Sequence, residues 1–268
     1  MAEADYYENP AAWNLERYLG NEAERRRFEM TADLIDARAE SLLDIGTGNG
    51  AFLSFLEHRS TPLNLYGLER SKAAIAAAAC QAEIRQGSVD ALPFADRSFD
   101  SVTALEVIEH LPHGVYSRAL QEMARVAASQ VLISVPYKER RVMVVCPECR
   151  CRFSPIFHLR TFDERSLPKL VPGFELNRTE LVTTEVHRLI TGIATRVRSL
   201  RDRLKGRIPA QTTCPQCGFP MGPQGTKAKP GPSGSDSPLR GLRSELLSWV
   251  PKAQQAHWII ASYGRIPK

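Results

Sequence analysis

A glycine-rich loop is the first segment whose residue types and spacing could bind a ligand. Gly46, Gly48 and Gly50 lie within five residues, between apolar stretches at 41–45 and 51–56. Glycines let the backbone turn sharply and approach a ligand closely, and the start of the next helix offers unpaired N–H groups. Asp44 precedes the loop, and Glu69 ends the next apolar stretch, where a carboxylate can bind two ribose hydroxyls. The pattern predicts a ribose-bearing ligand at the carboxyl edge of a parallel sheet.

Four of the six cysteines form two Cys-Pro-x-Cys pairs. One tight turn of this kind aims two thiolates at one ion, and two turns complete a tetrahedral site with four sulfur ligands. We therefore expect a structural zinc ion at Cys146, Cys149, Cys214 and Cys217. Cys151 is a competing ligand, and a redox pair is the alternative. Because the pairs lie far apart in the sequence, the rest of the fold must bring them together.

Strands alternate with helices around these residues. Strands are predicted at 41–45, 63–68, 83–86, 99–105, 130–135, 174–183 and 257–263. Helices are predicted at 5–37, 51–56, 71–80, 115–128 and 163–171, with a basic amphipathic helix at 188–205. Such alternation is typical of a parallel α/β sheet with right-handed crossovers.

Composition and charge exclude some classes of protein. The chain of 268 residues is 43% hydrophobic and 24% charged, which is ordinary for a globular protein. No apolar run approaches the ~18–20 residues of a membrane span, and the Glu- and Arg-rich first forty residues give no secretory signal, so a cytoplasmic location is predicted. Residues 188–268 hold 14 of the 35 Lys and Arg but 3 of the 30 Asp and Glu. This excess favours an anionic partner or a solvated surface.

Taken in order, these segments resemble class I S-adenosylmethionine-dependent methyltransferases of the type 11-like group. The segments that carry the resemblance are 42–50, 65–70, 87–94, 98–100 and 105–111, with Phe162, Leu167, Gly173 and Phe174 further on. The resemblance covers roughly residues 40–183 and 257–263. It implies a Rossmann-like, seven-stranded, mostly parallel sheet, into which the two cysteine pairs add a small zinc-binding insertion.

The resemblance implies S-adenosylmethionine as the cofactor. It places the cofactor-binding residues at the glycine loop, the ribose-binding acid and the adenine-side loop: Asp44, Gly46, Thr47, Gly48, Gly50, Glu69, Arg70, Ser88, Val89 and Glu106. The family often has Asp directly after the glycine at position 87, whereas here Ser88 stands there and Asp90 follows. Either residue can contact the adenine amino group, or Asp90 only stabilises the turn.

The segment 105–111 is predicted to line the reacting centre. Methyl transfer needs an aligned acceptor and exclusion of water, and an oxygen acceptor must also lose its proton. Glu106 and His110 are the predicted catalytic residues. Residues 106–110 are also similar to small-RNA 3′-end 2′-O-methyltransferases and ubiquinone-pathway O-methyltransferases, which implies an alternative site for Mg²⁺ or Mn²⁺ at Glu106, Glu109, His110 and His158. The same string occurs in metal-free methyltransferases, and at this stage we favour the metal-free interpretation.

The sequence thus predicts an S-adenosylmethionine-dependent methyltransferase that acts at oxygen on a small-molecule acceptor. The basic helix over 188–207 would suit an anionic acceptor, but it lacks the interleaved aromatic residues that stack on nucleic acid bases. Two alternatives stay open. One is a divalent-metal-dependent RNA 2′-O-methyltransferase, and the other is a non-catalytic, zinc-stapled binding module with the same fold.

The predicted organisation has six segments. They are an N-terminal helical segment (1–40), the cofactor-binding core (41–136), an insertion with the first zinc knuckle (137–157), a continuation of the core (158–187), a segment with the basic helix, the second knuckle and a Pro/Gly-rich loop (188–256), and the last strand with the tail (257–268).

Overall fold

The chain is built around one mixed sheet in a computed structural model that describes residues 7–10, 13, 20–59, 62–187, 212, 214–219, 221 and 252–267. The helices are α1 (Glu22–Asp33), α2 (Ala51–His58), α3 (Lys72–Ala76) and α4 (His113–Val126). The strands are β1 (Ser41–Ile45), β2 (Asn64–Glu69), β3 (Glu83–Gln86), β4 (Phe99–Leu105), β5 (Ala127–Pro136), β6 (Val144–Val145), β7 (Arg152–Phe153), β8 (Phe174–His187) and β9 (Lys252–Arg265).

Seven of these strands form the main sheet in the order β3-β2-β1-β4-β5-β9-β8. The first five are parallel, and β9 runs antiparallel to both of its neighbours. The central strands are buried because helices cover both faces of a parallel sheet, and Leu43, Val102 and Ile133 are fully buried. The predicted Rossmann-like, mostly parallel sheet of seven strands is confirmed.

The order of the strands places the candidate functional residues at one edge. β1, β2 and β4 are parallel neighbours, so their carboxyl ends meet there. Asp44, Glu69 and Glu106 lie at or just after those ends. This is the edge at which open α/β sheets bind their ligands.

The small second sheet belongs to the first cysteine pair. β6 and β7 form an antiparallel hairpin, separate from the main sheet, with Cys146 and Cys149 in its loop. Cys146, Phe153, Phe157 and Cys214 form a hydrophobic cluster of their own. The second pair therefore packs against the first even though the two pairs are far apart in the sequence.

One predicted helix is wrong. Residues 163–171 form turns, because Pro168 has no amide hydrogen to donate and the Asp163 carboxylate instead accepts from the amides of Arg165 and Ser166. The helix predicted at 71–80 is also shorter, since α3 ends at Ala76. The helix predicted at 5–37 is also shorter among the described residues, because α1 begins after its N-cap Asn21 and ends at Asp33, and Trp13 is not helical. The basic helix predicted at 188–207 lies outside the described residues. Among the described residues, no helix combines the length and the apolar character needed to cross a bilayer.

Candidate active site and metal centres

The glycine loop turns directly after β1. Gly46 has a φ of +67°, and a Cβ there would lie 2.7 Å from a methyl group of Val107. At Gly48, whose φ is +58°, a Cβ would lie 2.7 Å from the ring of Trp13. Both positions therefore need glycine for their conformation and for the space around them. Gly50 begins α2.

The carboxylate of Glu69 fixes this loop to the next strand. Its Oε2 accepts from the amide of Gly48 at 2.9 Å, and its Oε1 accepts from the amides of Arg70 and Ser71 at 2.7 Å each. The side chain is buried but reaches the cavity beside the loop. A carboxylate held in this way is preorganised to accept hydrogen bonds from a ligand.

Two cavities meet at the carboxyl edge of the sheet. The smaller has a volume of about 220 Å³, and its walls include Gly46, Glu69, Arg70, Ser88, Val89, Glu106 and His110. The larger has a volume of about 420 Å³, and its walls include Asp44, Thr47, Gly48, Glu106, His110 and His158. Every predicted cofactor-binding residue except Gly50 thus lines one of these two cavities.

Two aromatic residues near the N-terminus, Tyr7 and Trp13, line both cavities, which the sequence did not predict. The Trp13 indole N–H donates to the backbone carbonyl of Tyr7 at 2.8 Å, and the Ser71 hydroxyl donates to the same carbonyl at 2.7 Å. Tyr7 and Trp13 are therefore positioned to exclude water from a bound ligand.

Ser88 and Asp90 have different surroundings. Ser88 lines the smaller cavity and donates its hydroxyl to Asp90 at 2.5 Å. The other Asp90 oxygen pairs with Arg118 at 2.6 Å. Asp90 thus stabilises the turn, and Ser88 and Val89 face the cavity.

Asp44 is a buried carboxylate behind the loop. The Thr103 hydroxyl donates to it at 2.6 Å. Burial raises the pKa of Asp44 to about 6, and the hydrogen bond from Thr103 opposes that rise only in part.

Glu109, His110 and His158 form a cluster in the same region. One ligating atom from each lies within 4.8 Å of the others. Glu109 is fully buried, and neither of its carboxylate oxygens accepts a hydrogen bond from a described residue. Burial, and then the nearby Glu106, raise the pKa of Glu109, while burial and then His158 lower the pKa of His110 to about 3. One carboxylate and two imidazoles are a donor set that suits a divalent transition metal.

Partners outside the cluster orient both imidazoles. Nδ1 of His158 lies 2.6 Å from a carboxylate oxygen of Glu139, and Nδ1 of His110 lies 3.2 Å from the Tyr7 hydroxyl. Such contacts are typical of metal-binding histidines, because they fix the ring and the tautomer. Neither Glu139 nor Tyr7 was predicted, since no sequence spacing relates them to these histidines.

Glu106 lines both cavities but is not a member of this cluster. It follows β4 with a φ of +60°, an unfavourable conformation for a residue other than glycine. Its Oε1 lies 3.9 Å from Nη1 of Arg27. Of the four residues of the alternative Mg²⁺ or Mn²⁺ site, the structure therefore brings together Glu109, His110 and His158 but not Glu106.

Arg27 on α1 is a further residue that the sequence did not indicate. Its side chain is only 4% exposed, pairs with Glu24 and lies 5.0 Å over the ring of Trp258. Its Nε and Nη1 atoms have no hydrogen-bond partner among the described residues, although Arg27 lines the larger cavity. A buried, incompletely paired guanidinium in a cavity suits an anionic group of a ligand.

The two cysteine pairs meet in one cluster. Sγ of Cys146 lies 3.7 Å from that of Cys217, and Sγ of Cys149 lies 3.5 Å from that of Cys214. The sulfurs of a tetrahedral zinc site with Zn–S bonds of ~2.3 Å are about 3.8 Å apart, so the cluster fits zinc. Cys151 is not a member of the cluster.

Comparisons with known proteins agree with this fold. Residues 43–134 match the family model described as a methyltransferase domain. A stretch of 130 residues, 45% of this chain, is 29% identical to phthiotriol/phenolphthiotriol dimycocerosates methyltransferase 1 of Mycobacterium ulcerans and covers 46% of that relative. The phthiotriol/phenolphthiotriol dimycocerosates methyltransferase of Mycobacterium tuberculosis (strain ATCC 25618 / H37Rv) is 30% identical over 113 residues, which is 40% of each chain. The matched stretches span less than half the length of these relatives.

Solved structures extend the likeness to most of the chain. An S-adenosylmethionine-dependent methyltransferase from Archaeoglobus fulgidus aligns with a TM-score of 0.53 and 14% identity over 93% of this chain and 97% of that chain. The cyclase SpnF aligns with a TM-score of 0.53 and 16% identity over 91% of this chain and 82% of that chain. At such identities the likeness shows the fold alone. The predicted fold is confirmed: the chain shares the fold of these structures, one of them an S-adenosylmethionine-dependent methyltransferase, and residues 43–134 match a methyltransferase domain.

Proposed function

We propose that this protein methylates an oxygen atom of a small-molecule acceptor, and that Glu109, His110 and His158 hold a divalent cation at the acceptor site. The observation that carries the proposal is the Glu109 carboxylate, which is fully buried and accepts no hydrogen bond from a described residue. A carboxylate in that state is costly unless it is protonated or binds a cation. Two oriented imidazoles beside it favour the cation.

The cofactor would occupy the two cavities. Glu69 would bind the ribose hydroxyls, and the loop of Gly46 and Gly48 would let the backbone approach closely. Ser88 and Val89 would contact the adenine. S-adenosylmethionine supplies the methyl group on a sulfonium, so the protein needs no nucleophile of its own and has to align the two reactants.

Glu106 and His110 remain the proposed catalytic residues, because both line the two cavities at their shared boundary. A divalent cation, when bound, lowers the pKa of a coordinated hydroxyl. Glu106 would accept or share the proton of that hydroxyl, and Tyr7 and Trp13 would keep water out. The incomplete hydrogen bonding of the Arg27 guanidinium supports an acceptor or cofactor group that is anionic.

The cysteine cluster is proposed to hold a structural zinc ion, because its four ligands leave no open position for chemistry. All six cysteines are free of disulfides, which suits the predicted cytoplasmic location. The curated relatives match less than half of this chain, so their acceptors do not identify the acceptor here.

The test uses labelled S-adenosylmethionine with a metabolite extract in one arm and short RNA in another. We expect methyl transfer that a chelator abolishes and that Mn²⁺ or Mg²⁺ restores, and loss of that transfer in Glu109→Gln. His113→Ala is the matched control, since His113 is exposed at the start of α4. Labelling of the RNA alone would favour the 2′-O-methyltransferase alternative. Transfer that survives the chelator would overturn the role of the cation, and no binding of S-adenosylhomocysteine would favour the non-catalytic module.

A further inference from the structure

A turn of four residues joins the cysteine cluster to the candidate cation site. This linking turn is residues 154–157, between the end of β7 at Phe153 and His158. We call the β6–β7 hairpin and the second cysteine pair the zinc unit. We infer that the zinc unit positions His158 through this turn, so that zinc binding to the four cysteines is required for the cation site to form. The inference rests on the proposed function for the cation but can be tested without it.

Two aromatic rings that pack beside the cysteines hold the linking turn, one directly before it at Phe153 and one at its last residue, Phe157. The rings of Phe153 and Phe157 stack with centroids 6.3 Å apart, and both side chains are buried with Cys146 and Cys214. Phe157 has a φ of +59°, which a residue other than glycine adopts only when its surroundings enforce it. The packing around the four cysteines supplies that enforcement.

The second cysteine pair reaches the same turn from the other side. The Thr212 hydroxyl donates to the carbonyl of Pro155 at 3.2 Å, and the amide of Met221 donates to the carbonyl of Thr212 at 2.8 Å. Thr212 lies two residues before Cys214, so this contact depends on where the second pair is held. Without zinc, the thiols would join the two pairs only through weak sulfur hydrogen bonds.

His158 leaves the turn and enters the cation site at once. The next residue, Leu159, donates its amide to the backbone carbonyl of Glu109 at 2.8 Å. The His158 ring meets the His110 ring edge-on at 4.6 Å. His158 is thus held between Phe157, which packs beside the cysteines, and Leu159, which is hydrogen-bonded to Glu109 in the segment after β4. The zinc unit therefore positions the candidate ligand.

The first readout is hydrogen exchange, which needs neither activity nor a second metal. Zinc is removed from the intact protein with a chelator, and the exchange of a peptide covering 154–162 is compared with the zinc-loaded state. We expect the amides of Phe157 and Leu159 to lose protection by at least tenfold, while peptides from β1 and β4 stay protected. Unchanged protection at 154–162 on proven loss of zinc would overturn the inference.

The second readout is Mn²⁺ binding, followed by electron paramagnetic resonance and calorimetry. Cys214→Ser should weaken Mn²⁺ binding about tenfold or more, as loss of a ligand-orienting partner does, with S-adenosylhomocysteine binding unchanged. Cys80→Ser is the control, because Cys80 lies outside the cluster. Should Cys214→Ser fail to fold, Thr212→Val loosens the turn without removing a thiolate and should act in the same direction.

The two readouts separate the two ideas. Loss of protection together with no Mn²⁺ binding by the wild type would reject the proposed cation and leave the positioning role intact. Normal Mn²⁺ binding by the zinc-free protein would reject the positioning role and leave the cation site intact.

Discussion

Arg27 is a buried residue whose hydrogen bonds are incomplete among the described residues. Its guanidinium is buried, and two of its three nitrogens have no hydrogen-bond partner among the described residues. The Trp258 ring covers one face at 5.0 Å, and Glu24 binds one edge. One of these two nitrogens, Nη1, lies 3.9 Å from the Glu106 carboxylate. Arg27 lines the larger cavity beside the glycine loop, where an anionic group of a ligand would complete its hydrogen bonds.

The amino-acid tail of the cofactor carries such a group, and Arg27→Met tests it. We expect the affinity for S-adenosylhomocysteine to fall about 10- to 100-fold in calorimetry, because a charge-assisted hydrogen bond is worth roughly 1.5–3 kcal/mol. Binding of 5′-methylthioadenosine, which lacks the carboxylate, should not change. Arg26→Met is the control, since Arg26 is exposed on the same helix. Equal losses for both ligands would show that Arg27 does not bind the tail.

Asp44 should make the stability of the protein depend on pH. Burial raises its pKa to about 6 from the ordinary value of 3.8, so the folded state binds the proton more tightly than the unfolded state. The resulting stability is present below pH 3.8 and is lost as the pH rises towards 6. Above that range the charged carboxylate costs about 3 kcal/mol at most.

Asp44→Asn removes this cost. We expect its free energy of unfolding, from urea titrations, to exceed that of the wild type by about 1–3 kcal/mol at pH 7.5, with the difference declining as the pH falls to 4. Asp33→Asn is the control, because Asp33 is exposed at the end of α1. A difference that stays constant over this pH range would contradict the role of the buried charge.

The two cysteine knuckles have the same backbone hydrogen bond but a different residue after the second cysteine. Each first cysteine donates its amide to a carbonyl five residues later, Cys151 in one case and Phe219 in the other. Each knuckle then has a residue with positive φ after its second cysteine: Arg150 at +63° and Gly218 at +72°. Only Gly218 adopts this conformation without strain.

Arg150→Gly should therefore tighten zinc binding. Glycine removes the strain of the left-handed backbone but loses more backbone entropy on folding, so the net gain in stability is up to about 1 kcal/mol. Because zinc binding is coupled to folding of the knuckles, this gain should appear as tighter zinc binding. A chelator competition should show zinc held about threefold to fivefold more tightly. Gly218→Ala is the reciprocal variant and should weaken binding by a similar factor, because its neighbourhood has room for a Cβ. An unchanged affinity in both would place the strain elsewhere.

The elements also show how far sequence reasoning reaches. The strands of the sheet were predicted because buried parallel strands are apolar runs, and the cysteine cluster because its spacing encodes two turns. The helix at 163–171 was wrong because apolar spacing around Leu167 outweighed Pro168. Arg27 and Glu139 were missed because their roles come from contacts between distant segments. His158 was named through a resemblance, and the linking turn beside it has no sequence signature.

At the scale of the whole molecule, Gln130 on β5 joins segments from across the chain. Its amide nitrogen donates to the carbonyl of Leu34 at 2.7 Å and to the Ser262 hydroxyl at 3.2 Å. Its amide oxygen accepts from the backbone N–H of Asp36 and the hydroxyl of Ser101, each at 3.0 Å. The segment after α1, the neighbouring strand β4 and the last strand β9 thus meet at one side chain. None of these contacts touches the cavities.

Gln130→Leu should therefore lower stability and leave the site unchanged. The leucine has nearly the same volume but leaves four partners without their hydrogen bonds. At roughly 0.5–1.5 kcal/mol for each bond, the loss should be about 2–6 kcal/mol in urea titrations. Gln121→Leu, an exposed position on α4, should change stability by less than about 0.5 kcal/mol. Calorimetry with S-adenosylhomocysteine should give the wild-type affinity for the folded fraction, because neither Gln130 nor its hydrogen-bond partners line the cavities. A large loss of affinity without a loss of stability would mean that these distant segments control the cofactor site directly.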